Sequence, residues 1–110
     1  MQKIVPHLWF DIQALEAASL YVSLFEDSKI LNTTMLYDTP SGDAQTVGFQ
    51  LAGLEFAAIS AGPYFTFNSS ISLMVVCETK EEVDRLYKSL VEGGSELMPL
   101  GTYDFSQWYA

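Results

Sequence analysis

The sequence predicts an α+β fold made of two βαβββ modules in a curved mixed sheet, the second module without its last two strands. An internal repeat is the first observation, because Val5–Leu31 recurs without a gap at Ile71–Leu97, 66 positions later. Alternation of apolar and polar residues is the second, and it is typical of strands. Apolar residues at helical spacing near the start of each copy are the third. A repeat of this length indicates duplication of one structural unit.

Length, composition and charge limit the possible classes of protein. A chain of 110 residues with 49% hydrophobic residues is expected to form a single domain, residues 1–110, with its own core. The formal charge of −9 argues against nucleic acid or an anionic membrane as a partner. Cys77 is the single cysteine, no secretory leader opens the chain, and no apolar run approaches the roughly 20 residues that span a bilayer. We therefore expect a cytoplasmic protein.

The first module, residues 1–62, is predicted to begin with a strand and a helix. The strand covers Ile4–Phe10, and Pro6 indicates an edge position because proline cannot donate a hydrogen bond to a neighbouring strand. The helix of about three turns follows Asp11. Its apolar face consists of residues at spacings of three and four: Ala14, Ala17, Ala18, Tyr21 and Phe25.

Three further strands complete the first module. Ser28–Asp38 is rich in Ile, Thr, Leu and Tyr, and Gln45–Leu51 alternates between apolar and polar side chains. Ala52-Gly53 is a suitable hairpin connection into the last strand, Leu54–Ser60.

The second module, residues 69–110, is predicted to repeat this order as far as the chain goes. Ile71–Cys77 is its first strand, apolar enough to be covered on both faces, and Thr79 with Glu82 forms the capping box of its helix. Gly93-Gly94 supplies a left-handed end to that helix. Counterparts of the last two strands are missing, so we expect either a truncated chain or a partner that covers the open edge, and we predict a homodimer.

The spacing of these elements resembles that of the vicinal oxygen chelate superfamily, which includes glyoxalase I, bleomycin-resistance proteins and extradiol dioxygenases. Within it the chain is similar to the PhnB-like branch, whose members are often labelled as similar to 3-demethylubiquinone-9 3-methyltransferase. The residues that carry the resemblance lie in both modules: Pro6-His7-Leu8-Trp9-Phe10-Asp11, Ala14, Ala17, Tyr21, Phe25, Phe67-Asn68, Ile71-Ser72-Leu73, Glu82-Val83-Asp84, Leu86, Leu90, Gly93-Gly94 and Met98-Pro99-Leu100.

The resemblance implies a glyoxalase-like half-barrel in which strands of both modules hold a divalent metal through His, Gln or Glu. This chain offers few such ligands, because His7 is its single histidine and the fourth strand supplies only Glu55. We therefore predict no metal. No other cofactor is predicted either, since none of Gly42, Gly48 and Gly53 lies in a strand-to-helix turn that could hold a dinucleotide.

The leading hypothesis is a small-molecule-binding protein of the glyoxalase and bleomycin-resistance type. Its candidate ligand-binding residues combine aromatic rings with a few polar groups, as concave binding sites do: His7, Trp9, Phe49, Glu55, Tyr64 and Trp108. The four aromatic residues are equally open to a role in the core or in self-association.

Two other hypotheses remain open. The first is a metal-dependent isomerase, lyase or dioxygenase whose site is completed by a partner chain or by residues beyond Ala110. The second is a shortened product that associates by strand exchange.

Overall fold

A computed structural model describes residues 2–40, 42–68, 70–92, 94, 101–103 and 106–109, the last two ranges without their side chains. The chain divides into two compact units, Met1–Ser70 and Ile71–Ala110. Each unit is described separately below.

The first unit forms a four-stranded mixed sheet with one helix. Its elements follow the predicted order βαβββ, which confirms the α+β fold class: β1 (His7–Phe10), α1 (Ala14–Leu24), β2 (Lys29–Thr39), β3 (Gly42–Leu51) and β4 (Leu54–Ser60). The strands lie in the order β1-β4-β3-β2. β1 is parallel to β4, and the other two pairs are antiparallel.

β1 is an edge strand, as Pro6 indicates, although it begins three residues later than the sequence predicts. The chain just outside the strand continues the pairing, because Ala57 N donates to Pro6 O at 2.9 Å and Ala61 N donates to Phe10 O at 3.0 Å. Pro6 thus takes part in the pairing through its carbonyl oxygen, which is the one backbone hydrogen-bonding group that proline has.

The core of the first unit lies between α1 and one face of the sheet. Ala14 and Ala18 of α1 are buried in one cluster with Val47 and Phe49 of β3 and with residues of β4. Small side chains on the helix let it approach the sheet closely, and the large rings come from the strands. Phe49 stacks on Phe56 with a centroid separation of 5.3 Å.

The turn between β3 and β4 fixes the register of this hairpin. Ala52 and Gly53 both adopt left-handed backbone conformations, with φ of 49° and 84°, as a two-residue turn between twisted strands requires. Asp27 and Ser28 hold the turn in place, because Gly53 N donates to Asp27 O at 3.1 Å and Ala52 N donates to Ser28 Oγ at 3.0 Å. The predicted hairpin connection is confirmed.

The second unit contains α2 (Lys80–Val91) and a hairpin of β5 (Gly101–Tyr103) and β6 (Ser106–Tyr109). α2 begins 66 residues after α1, which is the offset of the sequence repeat. Thr79 caps the helix as predicted, because its Oγ1 accepts from Glu82 N at 3.2 Å. The Glu82 carboxylate reaches back to Glu78 N at 3.2 Å, one residue before the position expected in a capping box.

The prediction of a strand at Ile71–Cys77 is wrong in this structure. The segment has no strand conformation, and its apolar residues are exposed: Ile71, Leu73, Met74, Val75 and Val76. A strand is maintained by pairing with a neighbour, and among the described residues this segment has none. Gly93, the first of the two glycines predicted to end α2, lies outside the described residues. Gly94 N donates to Val91 O at 3.0 Å.

Candidate functional site

The two faces of the first unit's sheet have different surroundings. α1 covers one face, onto which Leu8 and Phe10 of β1 also pack. Side chains of neighbouring residues in a strand point to opposite faces, so His7 and Trp9 lie on the other one. We call that second face the open face.

The register arranges the open face in three rows that cross the strands. The central row contains His7, Ala57, Gly48 and Asn32, which are successive partners in β1, β4, β3 and β2. The first flanking row contains Trp9, Ile59, Thr46 and Thr34. The second flanking row contains Glu55, Gln50 and Lys29. The middle of the face is therefore lined by small side chains, with an apolar row on one side and a polar row on the other.

The structure brings three of the sequence-predicted site residues to this face. His7 is exposed at the edge, and Glu55 is half-buried. Gln2 fixes the backbone around Glu55, because its Nε2 donates to Glu55 O at 2.9 Å and its Oε1 accepts from Glu55 N at 2.8 Å. Glu55 lies two residues from Ala57, the partner of His7, so the carboxylate and the imidazole occupy adjacent rows.

Trp9 is held at a fixed position on the open face. Its Nε1 donates to Gly62 O at 2.9 Å, and its ring packs edge to face against Phe65 with centroids 5.0 Å apart. Phe67, which like Phe65 lies in the connection after β4, packs against Phe10 with ring centroids 5.1 Å apart. The aromatic connection after β4 therefore returns alongside β1 and places one ring on each of its two faces.

The prediction that Phe49 lines the ligand site is wrong. Phe49 is only 1% exposed, lies beneath α1 and stacks on Phe56, so it belongs to the core and cannot line the open face. Alternation along β3 explains the error: Val47, Phe49 and Leu51 share a face, and the sequence does not reveal which of the two faces the helix covers.

The last two predicted residues lie away from the central row or outside the described side chains. Tyr64 is 64% exposed, and its ring lies over Gly62, where a Cβ would come within 2.8 Å of Tyr64 Cε2. It therefore neighbours the carbonyl that accepts from Trp9. Trp108 belongs to β6, and its side chain lies outside the described part of the structure.

Asn32 and Gly48 are residues of the open face that the sequence analysis missed. A Cβ at Gly48 would lie 2.8 Å from Nδ2 and 3.1 Å from Oδ1 of Asn32, so the carboxamide rests on the glycine backbone. The available signal was a glycine inside an otherwise alternating strand, because such a glycine often marks a close approach by another group.

A shallow depression of about 410 Å³ lies where β3 and β4 meet the start of α1. Its polar lining includes Asp11, Asp43 and Gln45. Ser60, also in the lining, is engaged with the helix, because its Oγ accepts from Ala14 N at 2.9 Å. The depression is open and lies apart from the three rows.

The metal site that the superfamily implies does not fit the described residues. Within them, no group of three or more His, Cys, Asp and Glu side chains lies close enough together to hold an ion. The open face brings His7 and Glu55 into neighbouring rows, but the next positions of the central row are Ala57 and Gly48, which offer no side-chain ligand. We therefore derive no chemical step through a metal.

Cys77 lies just before α2 and is half-buried. Burial raises the pKa of its thiol, the Glu82 carboxylate raises that pKa further, and the Arg85 guanidinium acts in the opposite direction. Since the thiolate is the reactive form, this pKa makes Cys77 a poor nucleophile at neutral pH.

Neither helix of the described chain is long and apolar enough to cross a membrane.

A family model and a solved structure point to the same family. The family model of 3-demethylubiquinone-9 3-methyltransferase matches residues 2–106. A PhnB protein from Bacillus cereus, itself described as a 3-demethylubiquinone-9 3-methyltransferase, has 38% sequence identity and a TM-score of 0.87, over 97% of this chain and 87% of its own. A Staphylococcus aureus protein has 34% identity and a TM-score of 0.44, over 100% of this chain and 85% of its own. No curated protein matches.

Proposed function

Since the chain belongs to the PhnB-like 3-demethylubiquinone-9 3-methyltransferase family, which has the glyoxalase fold, we propose that it binds a small molecule on the open face of its sheet. One observation carries this proposal: α1 closes one face, while His7, Trp9 and Glu55 share the other. An apolar surface with a few fixed polar groups is what small-molecule sites present. We place this activity in the cytoplasm, as the sequence analysis does.

The elements of the open face hold these groups in place before a ligand arrives. Trp9 is anchored through Gly62, and the backbone at Glu55 is anchored through Gln2. Residues on paired strands lose less freedom on binding than residues on loops, so more of the interaction energy contributes to affinity.

Binding to ¹⁵N-labelled protein by NMR tests the proposal, with naphthoate, naphthol and indole as probes. We expect at least one probe to shift amide resonances of β1 and β4 saturably. His7→Ala should weaken that binding about tenfold, which corresponds to about 1.4 kcal/mol, and Glu55→Gln should do the same for the probes that donate a hydrogen bond, naphthol and indole. Glu16→Gln, a matched change on the exposed side of α1, should leave it unchanged. Shifts confined to α1, or no saturable shift with any of the probes, would contradict the proposal.

We further propose that binding does not require a divalent metal. The support is the composition of the central row, in which Ala57 and Gly48 separate His7 from Asn32. The competing hypothesis is a metal-dependent isomerase, lyase or dioxygenase. Isothermal titration with zinc, nickel, manganese and iron(II) distinguishes the two: stoichiometric binding that disappears in His7→Ala would favour the metal enzyme.

Self-association as a homodimer is the final part of the proposal. Its support is the segment Ile71–Cys77, whose apolar side chains are exposed, with Ile71 at 83% and Val76 at 81%. The segment carries no charge, whereas the chain as a whole carries −9, so two copies can meet at this segment without bringing its own like charges together. Exposed apolar runs of this kind commonly mark protein contacts.

Sedimentation equilibrium tests the homodimer. Met74→Lys should convert a dimer to a monomer, because it places a charge within the apolar segment. Ser19→Lys adds the same charge at an exposed position of α1 and should leave the dimer intact. A wild-type protein that stays monomeric at high concentration would exclude this part of the proposal.

A further inference from the structure

We infer that the Asn32 carboxamide is a ligand-binding group, positioned by Gly48, and that the open face accepts a flat small molecule whose head group both donates and accepts hydrogen bonds. This inference rests on the proposed function, because it assigns a ligand class and a binding residue to the same face.

The position of Asn32 on the sheet supports this inference. Asn32 is the β2 member of the central row, whose other end is His7 on β1. Three strand spacings separate the two residues, about 14 Å between their α-carbons. Between them the row contains only Ala57 and Gly48. Asn32 and His7 therefore mark the two ends of a strip with almost no side chains.

The glycine opposite Asn32 gives further support. Gly48 lies inside β3, where a larger residue would favour the strand. Its backbone needs no left-handed conformation, because its φ is not among the positive values of the described glycines. What it provides is space: a Cβ there would lie 2.8 Å from Asn32 Nδ2. Gly48 thus lets the carboxamide lie inward over β3, toward the centre of the open face.

The two flanking rows differ in their chemistry. Trp9, Ile59 and the methyl group of Thr46 form an apolar side along the strip. Gln50 lies in the polar row. Its Nε2 donates to the Asp27 backbone oxygen at 3.1 Å and to Asp27 Oδ1 at 3.3 Å. Its Oε1 therefore remains as an acceptor.

These surroundings determine the ligand class. A flat ring system fits over Ala57 against the apolar row, because nothing larger than a methyl group projects from the floor of the strip. The Asn32 carboxamide offers one acceptor and two donors, and Gln50 adds an acceptor. The complementary head group is an amide, or another group with both a donor and an acceptor.

The experiment titrates ¹⁵N-labelled protein with 2-naphthamide and, separately, with 2-methylnaphthalene, which has the same rings without the amide. We expect 2-naphthamide to shift the Asn32 side-chain amide and the Gly48 backbone amide saturably, and 2-methylnaphthalene to bind about tenfold more weakly. Asn32→Ala and Gly48→Ala should each weaken 2-naphthamide binding about tenfold, the second by displacing the carboxamide. Asn68→Ala, at an exposed asparagine of the same unit, should leave it unchanged.

Two results would overturn the inference, and they are distinguishable from failure of the proposed function. If 2-naphthamide shifts Trp9 and Ala57 with equal affinity in the wild type, Asn32→Ala and Gly48→Ala, the open face binds ligands but Asn32 takes no part. If 2-naphthamide gives no saturable shift while naphthoate, naphthol or indole does, the face binds a ligand of another class.

Discussion

The two faces of the four-stranded sheet consist of the same strands but have different surroundings. On the helix face, Val47, Phe49 and Ala58 are each 1% exposed and pack with α1. On the open face, Gly48 and Ala57, their neighbours in sequence, are only half-buried. Around Gly48 and Ala57, β3 and β4 thus alternate between fully buried residues and residues that are partly accessible. Substitutions one residue apart should therefore have different consequences, and the predictions below test that difference.

The largest effect is expected from Phe49→Ala on the helix face. The ring is buried and stacked on Phe56, so its removal leaves a cavity and should lower the free energy of unfolding by about 3–5 kcal/mol. Urea denaturation measures this change. A loss below about 1 kcal/mol would show that Phe49 is not in the core, and it would restore the earlier hypothesis that it lines the site.

A matched pair on β4 compares the faces most closely. Ala58→Asn buries a carboxamide under α1 without a partner and should lower the free energy of unfolding by about 2–4 kcal/mol. Ala57→Asn places the same group on the open face and should cost less than about 1 kcal/mol. Thermal and urea unfolding measure both variants. Equal losses would contradict the assignment of the two faces.

Substitutions at the two positions of the turn between β3 and β4 should change the stability of the protein in opposite directions. Gly53→Ala forces a Cβ into a left-handed backbone, 3.2 Å from Asp27 Oδ2, and should destabilise the protein by about 1–2 kcal/mol. Ala52→Gly relieves a left-handed alanine and should stabilise it by about 0.5–1 kcal/mol. Unfolding free energies of both variants provide the measurement, and the same sign for both would contradict the turn geometry.

Trp9→Phe tests the edge of the open face and should have a small effect. Phenylalanine retains a ring beside Phe65 but loses the hydrogen bond to Gly62 O, so the free energy of unfolding should fall by about 1 kcal/mol. The backbone amide resonances of residues 61–65 should also shift, because their anchor is gone. Unchanged resonances there would show that Trp9 does not hold the connection.

The repeat made much of the fold predictable. An offset of 66 residues correctly relates the starts of α1 and α2, and local signals identified the Thr79 cap and the Ala52-Gly53 turn. These features depend on residues that are close together in the sequence, so they can be predicted from sequence patterns. Ile71–Cys77 shows the limit of such reasoning: its residues resemble those of β1, but a strand also needs a neighbour, and composition does not supply one.

The candidate site was less predictable than the fold. His7, Trp9 and Glu55 could be identified as residue types, but their common face follows from the register of β1 with β4. Phe49 was misassigned because alternation defines two faces without showing which one the helix covers. Asn32 was missed because its importance depends on Gly48 of another strand, whose only signal was the absence of a side chain.

The methyl groups of Ala57 and Ala58 provide the most direct test of the account, because they are adjacent in sequence and point to opposite faces of β4. With alanine methyl groups labelled with ¹³C, NMR titration with 2-naphthamide or naphthoate reports on both faces in one spectrum. We expect the Ala57 methyl resonance to shift saturably while that of Ala58 stays in place. A saturable shift of Ala58 with Ala57 unmoved would show that ligands bind beneath α1 and would contradict the account.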